Sequence, residues 1–155
     1  MSIKYAEYDA IDRKIVEIMN RDAQTTNFSL AKLVGLSTSA VNERLRKLKG
    51  AGIIKKIVAI ADSEFMEMSL CAYISVSIDK PEYNHGFLAS IEYHPNVLEC
   101  HHITGDHSYL LKVRVENTKA LETFITDFLK TQKGVYKTFT QIVLSSAKDE
   151  SVIVG

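Results

Sequence analysis

Three groups of side chains have the types and spacing to do chemistry. The first is Ser37-Thr38-Ser39 followed by Asn42, Glu43, Arg44, Arg46 and Lys47. Hydroxyl, amide, carboxylate and guanidinium groups at these intervals can meet base edges and phosphates, which is the chemistry of DNA recognition. The second is Gly105-Asp106, a pair suited to a hairpin turn between two extended stretches. The third runs from His94 to His107 and holds Glu99, Cys100, His101, His102 and Asp106, all metal-binding types. Neighbours His101 and His102 on a strand would point to opposite faces, so one ion cannot take both. Cys100 and His102 share a face, and a metal held there would need ligands from across a subunit interface. No nucleophile–base–orienter spacing, glycine-rich phosphate loop or apolar pair of carboxylates stands out. The expectation is therefore no catalytic residues, no metal ligands and no enzyme.

The recognition chemistry needs a rigid support, and the flanking sequence supplies one. Residues 29–54 read SLAKLVGLSTSAVNERLRKLKGAGII, two short helices joined by a tight turn at Gly35. Ser37 is a suitable N-cap, because its hydroxyl can accept a bond from a free amide of the first turn. Val41, Leu45 and Leu48 then recur at helical spacing and form one apolar stripe. Ser39, Glu43 and Arg46 point away from that stripe, with Asn42 and Lys47 on its flanks. Arg44 lies nearer the stripe, where its stem can pack while its head reaches for phosphate. Leu30, Leu33 and Val34 give the preceding helix its apolar side. An earlier helix, capped by Asp9, carries Ile11, Ile15, Ile18 and Met19 at the same period. Three such helices can share a core, and a short polar helix after a tight turn fits the major groove.

Charge supports this reading. The 155 residues carry 19 basic and 19 acidic side chains. Residues 1–60 hold eleven Lys and Arg against six Asp and Glu, so the rest of the chain carries the matching negative excess. Such asymmetry between halves points to nucleic-acid contact by the basic one. Lys49, Lys55 and Lys56 extend the basic cluster beyond the second helix of the pair, where phosphates would lie. The first ten residues lack an apolar signal core, and no apolar run approaches the roughly 20 residues of a membrane span. Cys71 and Cys100 are too few for a disulfide scaffold. A soluble cytoplasmic protein without membrane contact is expected.

After Gly52 the period changes. IIKKIVAI, residues 53–60, is β-branched and reads as a linking strand. Residues 62–69 form a polar link. Leu70, Ala72, Ile74, Val76 and Ile78 then alternate with Cys71, Tyr73, Ser75 and Ser77 in the period of a strand. Pro81 opens a helix carrying Phe87, Leu88 and Ile91, and Val97 to Thr104 is extended. Tyr109, Leu111, Val113 and Val115 alternate on another strand. Leu121, Phe124, Ile125, Phe128 and Leu129 mark an amphipathic helix that Gly134 ends, and Val135 to Ser145 is a last strand. The order βαββαβ is the ferredoxin-like arrangement, with both helices on one face of a four-stranded antiparallel sheet. Tyr73, Leu110 and Phe139 leave the far face half apolar, so a homodimer with sheets meeting face to face is expected.

The combination resembles the Lrp/AsnC family of prokaryotic transcription regulators. The matching stretches are IDRKIVEIMNRDAQ, SLAKLVGLSTSAVNERLRKLKGAGIIKK and ITGDHSYLLKV, spanning Asp9 to about Ser146 in order. The resemblance implies an α+β chain: a winged-type helix-turn-helix of three helices, then a ferredoxin-like ligand domain. The expected divisions are residues 1–52 for DNA binding, 53–68 for the linking strand and hinge, and 69–155 for ligand sensing and oligomerisation. It further implies a dimer that associates into an octamer, binds double-stranded DNA and is tuned by an amino acid or related effector, with no other cofactor. Ser37, Thr38, Ser39, Asn42, Glu43 and Arg46 would face the groove, with Arg46 first for a guanine edge. The effector site would surround Thr104, Gly105, Asp106, His107 and Ser108, with Thr138 and Thr140 lining the same pocket. Glycine-turn amides can meet a carboxylate, and Asp106 can meet an ammonium group. Many members carry an aspartate where this chain has Ser108, which weakens that second contact. A DNA-wrapping architectural protein without a ligand, and a metal-responsive regulator, are the alternative readings.

Overall fold

A computed structural model describes residues 7–149, which fall into two compact units: one of residues 7–59 with Lys148 and Asp149, the other Ile60–Ala147. The first holds α1 (Ala10–Arg21), α2 (Asn27–Val34) and α3 (Thr38–Gly50). Each begins on a side-chain cap. Asp9 and Asp12 form a reciprocal capping box on α1, Thr26 caps α2, and the Ser37 hydroxyl accepts from the Ala40 amide at 3.2 Å. Gly35 ends α2 with φ +71°, a left-handed conformation that suits glycine. Ile15, Leu30, Val41, Leu45 and Leu48 fill the core between the helices, as their spacing predicts, and Ala31 joins them; Leu33, expected on the apolar side of α2, is exposed instead. Ser37→Ala removes one cap and is expected to lower the stability of this unit by about 1 kcal/mol, read by chemical denaturation.

Residues 53–60, expected as a linking strand, form none. β-Branched side chains favour extended backbone, but a strand exists only where a neighbour takes its hydrogen bonds. Among the described residues the four strands pair solely with one another. Ile57, Val58 and Ile60 are left exposed.

The second unit holds β1 (Leu70–Ile78), α4 (Asn84–Glu92), β2 (Val97–His102), β3 (Tyr109–Val115), α5 (Thr118–Thr123) and β4 (Val135–Ile142). A 3-10 turn over Pro81–Tyr83 leads into α4, and α5 continues as a π-helical segment, Phe124–Phe128, and a 3-10 turn, Leu129–Thr131. The strand order is β2-β3-β1-β4 with every neighbour antiparallel, the ferredoxin-like topology. The alternating residues of β1 and β3 behave as their period predicts: Ala72, Ile74, Val76, Leu111 and Val113 are fully buried against Phe87, Phe124 and Leu129. Leu88 is the exception on α4: it lies about 100° round the helix from Phe87, beyond the buried arc of Phe87 and Ile91, and is exposed. β2 and β4 end at His102 and Ile142, short of the expected Thr104 and Ser145.

His94 organises the loop between α4 and β2. Its ring lies 4.1 Å from that of Phe128 and edge-on to Phe124 at 5.0 Å, and its Nδ1 accepts from the Asn96 amide at 3.3 Å. Burial holds its pKa below the usual 6.5. The unfolded chain therefore binds more protons below that pH, so stability is retained above it and lost as pH falls through it. The thermal midpoint should drop between about pH 7.5 and about pH 5.5, and His94→Gln should flatten the dependence. An unchanged slope in the variant would remove His94 as its source.

Candidate DNA-reading helix and effector turn

Helix α3 turns its apolar stripe inward and leaves Ser39, Asn42, Glu43, Arg46 and Lys47 exposed along one edge, with Ser37 and Thr38 at its start. These groups are not loose. The Asn27 amide, at the beginning of α2, donates to the Asn42 side-chain carbonyl and ties α3 to its predecessor. The Ser37 and Ser39 hydroxyls lie 3.0 Å apart. Glu43 accepts from Arg46 through two nitrogens, Nε at 3.0 Å and Nη2 at 2.7 Å, and Lys47 Nζ approaches the same carboxylate at 3.9 Å. The bond from Arg46 holds the Glu43 carboxyl below its usual range, and that carboxylate raises the Arg46 guanidinium in turn. The pair is solvent-exposed, so it orders the two side chains more than it stabilises the fold. A guanidinium braced this way still has donors for a guanine edge, and a carboxylate can accept from a cytosine amine.

Arg44, expected to reach for phosphate, has its head elsewhere. Its Nη1 lies 2.8 Å from Asp12 Oδ1 and 2.9 Å from Asp9 Oδ2, which pins α3 to the first turn of α1. Asp12 is almost fully buried, so its charge needs this partner. The bond to Asp12 is the main cause raising the Arg44 guanidinium above its ordinary range. A phosphate contact from Arg44 would have to share or break these bonds.

The second candidate site is the turn between β2 and β3. The Ile103 amide donates to the Ser108 carbonyl at 3.0 Å, and Gly105 sits at φ +114°. Thr104, Gly105 and Asp106 are exposed at its tip. The turn is lashed to β1: the Ser108 amide donates to the Val76 carbonyl at 2.9 Å, and the Ser77 hydroxyl lies 2.9 Å from His107 Nδ1 and donates to the Asp106 carbonyl at 3.4 Å. The His107 ring stacks at 6.5 Å over Phe139 of β4. Thr138 and Thr140 pair across from Val76 and Ile74. Paired residues share a face, so both threonines project to the helix side with those buried aliphatics, and the structure does not gather them around His107. Ser77 and Phe139 hold the turn instead. Ser77 lies thirty residues away in sequence, and only its place on the polar face of β1 hinted at such a role.

His101 and His102 part to opposite faces of β2. His101 Nε2 meets Glu99 Oε2 at 3.0 Å, and the His102 ring packs on Tyr109 at 5.1 Å. Among the described residues no three His, Cys, Asp or Glu side chains converge as a metal set would.

Residues 71–153 match the family model described as the Lrp/AsnC ligand binding domain, and residues 8–55 match one described as winged helix-turn-helix DNA-binding. The chain belongs to the Lrp/AsnC family. Over 141 residues it is 34% identical to the HTH-type transcriptional regulator FL11 of Pyrococcus horikoshii, covering 91% of this chain and 92% of that one. It is 30% identical to the leucine-responsive regulatory protein of Salmonella typhimurium over 150 residues, 96% of this chain and 92% of the relative. A transcriptional regulator of Neisseria meningitidis solved with L-Met superposes with a TM-score of 0.88 at 31% identity, over 94% of this chain and 96% of its own. This Lrp/AsnC chain is a DNA-binding transcriptional regulator with a ligand-binding domain. Among its described residues no helix is long and apolar enough to cross a membrane.

Proposed function

We propose that this chain is a sequence-specific regulator whose DNA binding or assembly is tuned by an amino acid at its C-terminal domain. The carrying observation is the exposed edge of α3, where Ser39, Glu43 and Arg46 stand clear of a rigid, capped helix. Ser37, Thr38, Asn42 and Lys47 complete that edge, and Arg44 serves it by fixing the helix. Residues 1–52 act as the DNA-binding part, 53–68 as the link and 69–155 as the sensing and oligomerising part; residues 1–6 and 150–155 lie outside the described ones. The half-apolar far face, where Phe139 is exposed, supports a homodimer, and octamers of such dimers follow the family resemblance. No residue is assigned to catalysis or to a metal, and no cofactor beyond the effector.

Thr104 to Ser108 is the effector turn in this reading. The regulator solved with L-Met and the leucine-responsive relative support an amino-acid ligand. Exposed turn amides and Asp106 suit its two charged ends. The test is a genomic pull-down by the purified protein from sheared host DNA, with and without a mixed amino-acid pool. A few enriched sites that shift with the pool are expected. Uniform enrichment indifferent to the pool would favour a DNA-wrapping role, and no recovered DNA would end the reading. Gly105→Val places a branched side chain at positive φ and should abolish the response to the pool while leaving DNA binding by the dimer intact. A variant that responds as the parent does would refute the turn as the site.

A further inference from the structure

One hydrogen bond ties the exposed edge of α3 to the helix before it. The Asn27 side-chain nitrogen donates to the Asn42 side-chain carbonyl. Asn27 is the first residue of α2, next to the Thr26 cap, and Asn42 lies in the second turn of α3. Each helix is fixed by its own buried residues, Leu30 on α2 and Val41 and Leu45 on α3. Both asparagines are exposed, so the bond adds little to stability. Its effect is on direction. A side-chain amide carries an acceptor at one corner and two donors at the other, and the base it can read depends on which corner faces outward.

For Asn42 the bond sets that choice. Its carbonyl is engaged by Asn27, and among the described residues its side-chain nitrogen has no hydrogen-bond partner. The start of α2 is the positive end of its dipole, which favours a carbonyl facing it over an NH2 group. Asn42 stands three residues after Ser39 and four before Arg46 on the same exposed edge. Its free donors therefore sit between a hydroxyl and a guanidinium.

We infer that Asn27 is a positioning residue that makes Asn42 read DNA as a donor, selecting a keto base, guanine or thymine, over an amino base. Guanine offers N7 and O6 as acceptors and thymine offers O4, whereas cytosine shows only a donor amine and adenine sets an amine beside its N7. The paired contact to adenine needs the Asn42 carbonyl as well as its nitrogen, and Asn27 engages that carbonyl. When α3 enters the groove, water leaves the two amides and the bond between them strengthens. The inference rests on α3 as the DNA-contacting helix and adds the class of base it reads.

The test exchanges donor for acceptor at position 27. Asn27→Asp offers only oxygens, so Asn42 must turn its nitrogen inward and its carbonyl outward. The full-length protein and its variants are compared by selection from a randomised DNA pool, then on four duplexes that differ at one base pair. Asn42→Ala locates that pair by abolishing its preference. There the parent should favour guanine or thymine about tenfold. Asn27→Ala should reduce the preference about threefold, and Asn27→Asp should invert it toward adenine or cytosine. Asn42→Asp reaches the same end from the other side: a carboxylate there accepts from Asn27 and shows its second oxygen to the groove. An acidic side chain at the first helical position suits the dipole, so Asn27→Asp should keep the parent's thermal midpoint; if it does not, Asn42→Asp carries the test. Both carboxylates repel phosphate and weaken binding to every sequence, so the readout is the order of bases and not the affinity. A parent that favours an amino base at this pair, or an unchanged order in both aspartate variants, overturns the inference. If Arg46→Ala relaxes one position while no asparagine variant changes any, α3 still reads DNA and only this inference falls. If none of these variants changes any position, both fall.

Discussion

Arg46→Ala should weaken binding at the preferred DNA site by about 1–3 kcal/mol and relax the base preference at one position. Arg46 projects from the exposed edge of α3 and meets Glu43 through two nitrogens, which biases its head toward one orientation before DNA arrives. Less side-chain entropy is then lost on contact, which favours a direct base role. Removing it also frees Glu43, whose carboxylate would face the DNA with only Lys47 near it at 3.9 Å. That adds repulsion on every sequence. Selection from a randomised DNA pool separates the two effects: a base-edge role predicts lost preference at one position. A uniform loss on all DNA, with a shallower salt dependence, would make Arg46 a phosphate contact.

Gly134→Ala should destabilise the C-terminal unit by about 2–5 kcal/mol, the sum of an overpacking cost and a backbone cost. A Cβ at this position would stand 2.5 Å from Tyr83 Cδ2, 2.7 Å from its Cβ and 2.9 Å from its Cγ. The closest atoms include the root of the Tyr83 side chain, which cannot swing away without moving the turn before α4. Gly134 also holds φ +88°, where alanine is strained, and its carbonyl accepts from the Asp79 amide at 2.9 Å. Denaturation of Gly134→Ala alone and with Tyr83→Ala divides the cost. The double variant should recover only the clash with the Tyr83 ring, keeping the contact with the Cβ that alanine retains and the backbone part. A single variant as stable as the parent would show that the β4 entry yields easily.

Most of the architecture was legible because local pattern and final burial agree. Val41, Leu45 and Leu48 on α3, and Ala72, Ile74 and Val76 on β1, end in the cores that their spacing assigns. Asp9 and Ser37 cap the helices they precede. What escaped the sequence depends on partners far along the chain. Arg44 is attracted by two carboxylates thirty-odd residues earlier, which helical spacing cannot reveal. The linking segment has strand-forming residues, but composition does not supply a neighbour. Family resemblance places Thr138 and Thr140 in the pocket of the turn, whereas strand register sends them to the opposite face from His107. The π-helical run in α5 leaves the apolar period intact, so nothing in Phe124 to Phe128 announces it.

The Arg44 bridge has a consequence for motion. Asp9 and Asp12 serve twice: they close the first turn of α1 on itself and they hold the guanidinium of α3. Fraying at the start of α1 is therefore expected to release α3, so that the two segments open as one cooperative unit. Amide hydrogens in the first turn of α1 and the middle of α3 should exchange with matched free energies, and Asp12→Ala should lower both together. A terminal helix turn is ordinarily the first part of a domain to fray. Here it sets how long the exposed face of α3 keeps its shape.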